Sequence, residues 1–481
     1  MESKPDKQVQ QSQIDHDRVD AIYDDAEYWH VNTGEETIHA KRIPGRFRNF
    51  KWMSSAIWLF FFLGPYMRWD GQQAVLLDIA NRKFHIFSFT ILPQDVWLLA
   101  LVMLFFAMLL AAVTSVAGRV FCGYFCFQTV WTDIFTLLEE KLEGAPAKRA
   151  KLDKAPWDAR KIRIKVTKHI IWVLIGVLTG ISFTLWFADA STMWISYFTL
   201  EAPLEAWVAV ATFTVFTYIF AGFMREQVCL WLCPYARIQG VMCDAETIMP
   251  TYDEARGEPR GKLKKNQDEQ GRKLGDCIDC KQCVAVCPTG VDIRHGQQEG
   301  CITCGLCLDA CDSIMDQVNR PRGLIRYASL DEMEGKPNLK IFQRPRVLVY
   351  IGIIFLSVFG LVWGLLNLGA MELSVIHERQ PLYVIQSDGS VQNKYEIKVL
   401  NKTDDVMRVN LSVSGHDKLA VHGEPTSLLV EPGNVGTATV FLRIPGQALK
   451  QEHSDVEFIV TNGDDETMSA TYDSMFFGPR Q

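Results

Sequence analysis

The stretch that decides the fold lies between residues 277 and 311. Residues 277–288 read CIDCKQCVAVCP, and residues 301–311 read CITCGLCLDAC. Each cysteine of the second run lies 24 residues after its counterpart in the first, so the two runs are an internal duplication. Three cysteines at two-residue gaps wrap a cubane cluster, and in two-cluster proteins the fourth cysteine of each run binds the other cluster. The sequence therefore predicts two 4Fe-4S clusters.

This crossed binding assigns four cysteines to each cluster. The first cysteine set, for one cluster, is Cys277, Cys280, Cys283 and Cys311. The second cysteine set, for the other cluster, is Cys287, Cys301, Cys304 and Cys307. A pair of structural zinc sites is the alternative, because zinc also binds paired cysteines. Four cysteines at these gaps, present twice, favour iron–sulfur clusters over zinc.

The composition indicates a membrane protein with water-exposed domains. Of the 481 residues, 48% are hydrophobic and 22% are charged, and the mean hydropathy is +0.03. That value is high for a soluble protein and low for one embedded in lipid throughout. The net charge of -7 argues against a nucleic-acid partner bound through bulk positive charge. The 13 cysteines are clustered, which indicates metal binding rather than a disulfide framework.

Five apolar runs are each close to the length that a helix needs to cross a bilayer. They cover residues 52–69, 96–117, 169–189, 204–223 and 347–368. Buried core helices are the alternative, but the last four runs contain no Lys or Arg. Basic residues crowd the segment 141–168, whereas none lies in 190–206. The positive-inside rule then places the amino terminus and all the cysteine motifs in the cytoplasm, and the segment after the fifth span outside.

The segment after residue 369 has the pattern of short β-strands. Runs rich in Val, Ile, Leu and Thr are separated by turn signals such as Asp388-Gly389 and Pro432-Gly433. The predicted strands are 395–401, 407–414, 427–431, 437–444 and 456–461. Short strands at this spacing predict an immunoglobulin-like sandwich without a disulfide.

The predicted fold class is a multidomain membrane protein. It has five transmembrane α-helices, a cytoplasmic two-cluster ferredoxin-like domain and a C-terminal immunoglobulin-like β-sandwich. The predicted divisions are an acidic and then basic cytoplasmic segment at 1–51, a membrane core with four spans at 52–245, the ferredoxin-type domain at 246–345, the fifth span at 346–368 and the sandwich at 369–481.

Two further cysteine pairs follow predicted spans. Cys122 and Cys126 follow the second span, and Cys229 and Cys233 follow the fourth. If the local chain is helical, each pair occupies positions i and i+4 on one face, and the two pairs could converge at the membrane surface. Thiolates are soft ligands that suit cuprous copper, zinc or iron–sulfur centres. Packing cysteines at helix ends are the alternative, and Cys243, which has no partner in spacing, is expected to be structural.

The sequence around these pairs resembles a known family. Residues 118–133 read GRVFCGYFCFQTVWTD, and residues 225–237 read REQVCLWLCPYAR. With the double run, they are similar to the CcoG/FixG/RdxA proteins, which are accessory factors for assembly of cbb3-type cytochrome oxidase. The resemblance covers all but the amino-terminal forty residues. One departure is Phe127, which stands where the family usually has a proline; the other motif keeps this proline as Pro234. Unlike proline, Phe127 has a backbone N–H, so the helix could continue through this position and the two motifs could differ in geometry.

The resemblance implies an oxidoreductase of the bacterial inner membrane that reduces cupric to cuprous copper. Its two clusters would be the electron relay, with the ferredoxin domain in the cytoplasm and the sandwich in the periplasm. The candidate catalytic residues and copper ligands are then Cys122, Cys126, Cys229 and Cys233. The implied partners are the lipid bilayer, copper ions and oxidase assembly factors or copper chaperones, together with an electron donor that the sequence does not identify.

Two other functions are compatible with these motifs. A quinol-linked electron-transfer subunit resembling the NapH and NosR membrane ferredoxins would share the cysteine motifs, and an aromatic membrane core could hold a quinone; the fifth span and the sandwich argue against it. A non-enzymatic assembly scaffold would use its clusters to sense redox state. Serine replacement of Cys122 and Cys233 separates the alternatives, because a scaffold would tolerate it and a copper reductase would not.

Overall fold

A computed structural model describes the chain from residue 40 to residue 479. Within these limits, the residues outside the description are 70, 81, 88, 93–94, 264–273, 338–339, 368, 404, 424–426, 450 and 466–467. Most of the predicted amino-terminal segment at 1–51 therefore lies outside the described residues. The chain divides into two compact units, one formed by residues 1–67 and 102–358 and the other by residues 68–101 and 359–481.

Four helices in the described part of the chain are long and apolar enough to cross a membrane. They are Val96–Ala117, Ala159–Thr184, Leu204–Met224 and Pro345–Leu366. They coincide, within a few residues except for an earlier start at Ala159, with the last four runs predicted from hydropathy. The run predicted at 52–69 is instead divided into the helices Arg46–Ser55 and Trp58–Leu63 and a 3-10 turn at Gly64–Tyr66. The count of five spans stays a prediction.

The second and third of these membrane helices pack closely through glycines. A Cβ atom at Gly176 would lie 3.1 Å from the Cα of Thr214, and one at Gly180 would lie 2.9 Å from the Cα of Val210. Only a residue without a side chain permits this approach, which is a common way for helices to associate in lipid. The last turn of the Leu204–Met224 helix is a π-helix at Phe220–Met224, after α-helix at Leu204–Ile219.

A buried ion-pair network joins the chain segments that follow two of the membrane helices. Glu139 accepts hydrogen bonds from Arg149 at 2.7 Å and from Arg225 at 2.6 Å, and Lys168 lies 2.9 Å from Glu143. These carboxylates belong to the helix Phe127–Glu143, which begins just after Cys126. The network therefore fixes the segment around Cys126 against Arg225, which lies four residues before Cys229. The other helices of this region are Val120–Tyr124, Pro146–Lys154, Ala190–Thr199 and Pro234–Met242.

The region 246–345 is built from loops around the double cysteine run. One antiparallel pair of strands, Met249–Tyr252 and Ile325–Ala328, closes it. Helices begin inside each run, at Gln282–Ala285 in the first and Leu306–Gln317 in the second. The remaining short helical elements are Glu254–Gly257, Ile293–His295, Leu330–Met333 and Ile341–Gln343.

The C-terminal region is a two-sheet antiparallel sandwich, as the sequence predicts. One sheet has the order Ala420–His422, Val435–Pro445, Ser390–Asn401 and Met371–His377, with Val384–Ile385 also paired to Ser390–Asn401. The other has the order Ser427–Val430, Met407–Ser414, His453–Asn462 and Ser469–Phe477. The side chains of Tyr395, Leu442, Phe458 and Phe476 are fully buried between the sheets. Every predicted strand is present, and the structure adds two long strands at the ends of the domain.

The segment that follows residue 68 forms small sheets that the sequence analysis did not predict. Arg68–Trp69 pairs with Gln72–Gln73, and the strands Val75–Asp78, Lys83–Ile86 and Phe89–Ile91 form a second sheet. This segment packs on the sandwich: Lys83 Nζ donates to the carbonyl of Pro432 at 3.0 Å, and Lys402 Nζ lies 3.0 Å from Asp95. The loop before the helix Val96–Ala117 is therefore part of the sandwich unit.

Candidate functional site

The first cysteine set lines one cavity. Cys277, Cys280, Cys283 and Cys311 share this cavity with apolar walls that include Ile278 and Met315. Burial raises the pKa of Cys280 to about 11 and that of Cys283 well above its ordinary value. Buried thiols of this kind stay protonated unless a metal cation replaces the proton.

The second cysteine set also comes together. Burial, and then the nearby Cys301, Cys304 and Cys287, raise the pKa of Cys307 well above its ordinary value. Backbone N–H groups point at these sulfurs: Val291 N donates to Cys287 Sγ at 3.3 Å, and Thr303 N donates to Cys301 Sγ at 3.4 Å. Such donors stabilise thiolates and tune the potential of a cluster. The structure thus groups Cys287 with the second run and Cys311 with the first, which is the crossed arrangement.

The two runs have the same unusual backbone. Asp279 and Thr303 have φ of 54° and 55°, and Lys281 and Gly305 have φ of 52° and 72°. Left-handed residues at the same offsets turn the chain sharply twice within each run, which lets successive cysteines face one centre. The duplication seen in the sequence therefore extends to the backbone. The two sets are also neighbours, because Cys307 packs against the apolar cluster that contains Cys277 and Cys283.

The two CxxxC pairs converge on one place. Burial raises the pKa of Cys122 to about 11 and that of Cys229 to about 12. After burial, the other three cysteines of the two pairs, Cys126, Cys122 and Cys233, also raise the pKa of Cys229. We call these four the CxxxC thiols. The side chain of Gln128 links the two motifs by donating to the carbonyls of Phe220, at 2.8 Å, and Arg225, at 3.1 Å.

The expectation of i and i+4 positions on one helix is wrong for both pairs. The helix Val120–Tyr124 ends before Cys126, which has extended backbone and precedes the helix starting at Phe127. Cys229 lies in the π-helix Val228–Leu232, and Cys233 likewise has extended backbone before the helix starting at Pro234. Each pair therefore lies across a break, and the second thiol of each pair precedes a new helix.

The helix break at Cys126 also explains why Phe127 does not change the course of the backbone. Phe127 is the first residue of its helix, as Pro234 is of the other, and the N–H of a first helical residue has no intrahelical partner in any case. The helix therefore does not continue through Cys126, although the proline is missing. The Phe127 ring instead stacks on Trp131, with ring centroids 4.1 Å apart, and packs edge-on against Trp58.

The first CxxxC motif packs against the second cysteine run. Cys122 and Cys304 belong to one apolar cluster with Ile302. A Cβ atom at Gly123 would lie 2.5 Å from the carbonyl oxygen of Ile302 and 3.1 Å from the Cα of Cys304. The glycine between Cys122 and Tyr124 therefore lets the first CxxxC motif lie against the backbone of the second run.

Two polar residues that the sequence analysis did not single out lie at this contact. Buried Arg119 donates its backbone N–H to Thr303 Oγ1 at 3.1 Å and a guanidinium N–H to the carbonyl of Glu299, and its charge lowers the pKa of Cys122 against the larger effect of burial. Gln239 accepts from Cys122 Sγ at 2.9 Å and donates to Thr114 at 3.1 Å. Arg119 lies only three residues before Cys122, which was the one signal in the sequence.

The surroundings of the two cysteine sets suit clusters with several metal ions. Among residues that the structure describes, no three Cys, His, Asp or Glu side chains lie close enough to share one metal ion. Thiols around a cubane are farther apart, because each binds a different iron. The two cysteine sets, with buried thiols, an apolar wall and N–H donors, therefore fit 4Fe-4S clusters. A copper ion bound by three or more of the CxxxC thiols would require these side chains to move closer together.

Family models match three parts of the chain. The "4Fe-4S dicluster domain" model matches residues 224–330, and the "4Fe-4S binding domain" model matches residues 99–144. A third model, described as "IG-like fold at C-terminal of FixG", matches residues 361–479. The matches cover both cysteine sets, the CxxxC thiols and the sandwich.

Relatives match most of the chain. It is 42% identical over 454 residues to the "Nitrogen fixation protein FixG" of Rhizobium meliloti (strain 1021), covering 85% of this chain and 86% of that protein. It is 43% identical over 392 residues to "Protein RdxA" of Cereibacter sphaeroides, covering 79% and 82%, and 41% identical over 414 residues to "Protein RdxB" of the same organism, covering 83% and 87%. The chain therefore belongs to the FixG/RdxA family, and it is a membrane-associated iron–sulfur electron-transfer protein.

Proposed function

We propose that this protein reduces cupric to cuprous copper during assembly of a cbb3-type cytochrome oxidase. In this proposal the first and second cysteine sets each hold one 4Fe-4S cluster, and the CxxxC thiols bind the copper. When bound, such clusters accept and release single electrons. The stoichiometry fits, since reduction of one cupric ion consumes one electron.

The observation that carries the proposal is the contact between the CxxxC motif and the second cysteine run. Gly123 lies against Ile302 and Cys304, and Cys122 packs in the same apolar cluster as Cys304. Electron transfer slows steeply with distance, so an acceptor bound at Cys122 is well placed to receive electrons from the second set. The second set is then the one that delivers electrons to the CxxxC thiols.

The chemistry of the thiols favours the product. Soft sulfur ligands prefer cuprous over cupric copper, so binding at thiolates makes the reduction more favourable. Copper binding displaces the thiol protons, which burial otherwise retains. The guanidinium of Arg119 beside Cys122 favours the thiolate form. Two of the four thiols suffice for a cuprous ion, and the second thiol of each pair lies on extended backbone between two helices.

The location follows from the charges near the membrane helices. The basic segment at 141–168 supports a cytoplasmic position for the cysteine-containing region, and the sandwich then lies in the periplasm of a bacterium with an inner membrane. This topology requires the broken helical segment at 52–69 to cross the membrane as a fifth span. Copper chaperones and oxidase assembly factors are the proposed partners for release of the product.

A copper assay on variants tests the proposal. Protein purified without oxygen and reduced with dithionite is freed of excess reductant and mixed with cupric ion. The cupric electron paramagnetic resonance signal and a cuprous-specific chelator then report the electrons delivered. We expect loss of cupric signal in proportion to the electrons stored, and at least a tenfold slower loss in Cys122→Ser and Cys233→Ser.

Cys243→Ser is the matched control. Cys243 is half-buried, as Cys233 is, but its sulfur bonds to the carbonyl of Gln239 at 3.4 Å. This variant should reduce copper at the wild-type rate. Equal rates in all variants, each with full iron content, would favour the redox-sensing scaffold instead.

A further inference from the structure

A cavity of about 560 Å³ lies beside the second cysteine run and is separate from the cavity of the first cysteine set. Four aromatic rings line it, those of Phe47, Phe50, Tyr124 and Tyr327. Pockets for compact organic ligands have volumes of about 300–1,000 Å³ and mostly apolar walls with a few polar groups. The cavity therefore has the size and lining expected for a planar, lipophilic ligand.

One helix face forms the open side of the cavity. Arg46, Asn49, Phe50 and Met53 lie at positions i, i+3, i+4 and i+7 of the helix Arg46–Ser55, so they share a face. All four are exposed, whereas Arg48 and Lys51 on the opposite face are buried. This exposed face has a polar end at Arg46 and Asn49 and an apolar end at Met53.

The cavity is at the end of a membrane helix. Ala117, the last residue of the helix Val96–Ala117, lines it, and so does Val120. The side chain of Met53 at the apolar end is 65% exposed. A ligand can therefore enter from lipid with its apolar tail at Met53 while its polar head reaches Arg46, Asn49 and the tyrosines.

The inner wall of the cavity is the cluster-binding run itself. Thr303 lines the cavity, and its neighbour Cys304 is in the second cysteine set. Tyr327 donates its hydroxyl to the carbonyl of Thr303 at 2.8 Å, and Tyr124 donates to the carbonyl of Cys304 at 2.9 Å. A ring held between these tyrosines is therefore one residue away from a cysteine of the second set.

We propose that this cavity binds a membrane quinol, which is the electron donor of the protein. The inference rests on the proposed function, which needs a donor that the sequence does not identify. Oxidation of one quinol to quinone breaks two O–H bonds and releases two electrons and two protons. The electrons go one each to the two oxidised clusters and then reduce two cupric ions. The protons leave to water at the open polar end beside Arg46 and Asn49.

Binding of decylubiquinone to the purified protein in detergent tests this without relying on turnover. We expect saturable binding at one site per chain. An azido-quinone photolabel should attach to peptides that contain residues 46–53 or Tyr327. Phe50→Ala removes a ring of the lining and Asn49→Trp fills the polar mouth, so each should weaken binding at least tenfold. Phe106→Ala is the control, because Phe106 is an exposed ring on the helix Val96–Ala117 and does not line the cavity.

A kinetic arm separates this inference from the proposed function. In the wild type, decylubiquinol should bleach the visible absorbance of the oxidised clusters. In Phe50→Ala the bleaching should be at least tenfold slower. Dithionite should reduce the clusters of both proteins at the same rate. The inference is wrong if decylubiquinone does not bind or cannot displace a phospholipid from the cavity. It is also wrong if the azido-quinone labels only other regions. Each of these results counts against the inference even when cupric ion still reoxidises the clusters. If cupric ion does not reoxidise them but the quinone binds as expected, only the proposed function fails.

Discussion

The hydroxyl of Tyr124 donates a hydrogen bond of 2.9 Å to the backbone carbonyl of Cys304. Tyr124 lies between the two cysteines of the first CxxxC motif, and Cys304 is the second cysteine of the second run. This bond, with the close packing of Gly123 on Ile302, holds the proposed copper site against the proposed relay. The two motifs are about 180 residues apart in sequence, so the arrangement depends on the tertiary fold.

Tyr124→Phe should lower stability and leave the clusters bound. The change removes the donor and leaves the buried carbonyl of Cys304 unpaired, which costs about 1–3 kcal/mol. Thermal unfolding in detergent should show a lower midpoint with unchanged iron content. Tyr472→Phe, at a more exposed position in the sandwich, is the control and should leave the midpoint unchanged.

Gly123→Ala should damage the second cluster. The new Cβ would lie 2.5 Å from the carbonyl oxygen of Ile302, so the backbone of the second run must move. We expect iron content to fall from about eight to about four per chain, because one four-iron cluster is lost. Gly240→Ala is the matched control, since a Cβ there meets no atom within 4 Å. Full iron content in Gly123→Ala would show that the contact is not needed.

Crossed binding predicts a pattern of iron loss in double variants. Cys277→Ser and Cys311→Ser should each remove about four irons, and their combination should remove no more, because both residues bind one cluster. Cys277→Ser combined with Cys287→Ser should remove about eight. Iron and sulfide analysis of the purified variants measures this. If instead the combination of Cys277→Ser with Cys287→Ser removes only about four irons, each run binds its own cluster and the binding is not crossed.

Asp133→Asn should be strongly destabilising. The carboxylate of Asp133 lies 3.2 Å from Arg42, 3.0 Å from Arg48 and 3.2 Å from Lys51, and the last two are almost fully buried. Removing one partner of a buried ion pair costs about 3–5 kcal/mol, because it leaves buried charge uncompensated. Asp316→Asn breaks the exposed pair with Arg322 and should cost about 0–1 kcal/mol. Similar unfolding midpoints for the two variants would argue against a stabilising role for the ion pairs of Asp133.

The same carboxylate predicts an acid limb of stability. Burial alone would raise the pKa of Asp133, but the charges of Lys51, Arg48 and Arg42 outweigh it and lower the pKa to about 2. The unfolded chain takes up this proton near pH 3.8, so the stabilisation is complete above that pH and is lost as the pH falls toward 2. The difference in unfolding free energy between wild type and Asp133→Asn should shrink over this range. A difference that stays constant with pH is the opposite result.

Local sequence patterns predicted most of the elements. Hydropathy predicted five spans, of which four are long apolar helices in the described part of the chain, and turn residues predicted the strands of the sandwich. The general rule for two-cluster proteins predicted the grouping of Cys311 with the first run. These features depend on periodicity or spacing along the chain. The resemblance of the motifs identified the family, which the relatives confirm.

Features set by long-range packing were not predictable in this way. The break at Cys126 has no proline after it, so the sequence does not mark it. The break at Cys233 precedes Pro234, which disfavours helical backbone at the residue before it, so this break has a local signal. The strands at residues 75–91 pack on the sandwich and have no strong alternating pattern of their own. Gly123 carries no signal in the sequence, because its role depends on the distant backbone of Ile302.

The proposed function requires electrons to pass from the iron–sulfur relay to copper at the CxxxC thiols. Stopped-flow absorbance of the reduced clusters, after mixing with excess cupric ion in the absence of oxygen, tests it most directly. The account predicts fast recovery of the oxidised absorbance in wild type and Cys243→Ser, and at least tenfold slower recovery in Cys233→Ser with full iron content. Equal recovery rates in all three proteins would contradict it.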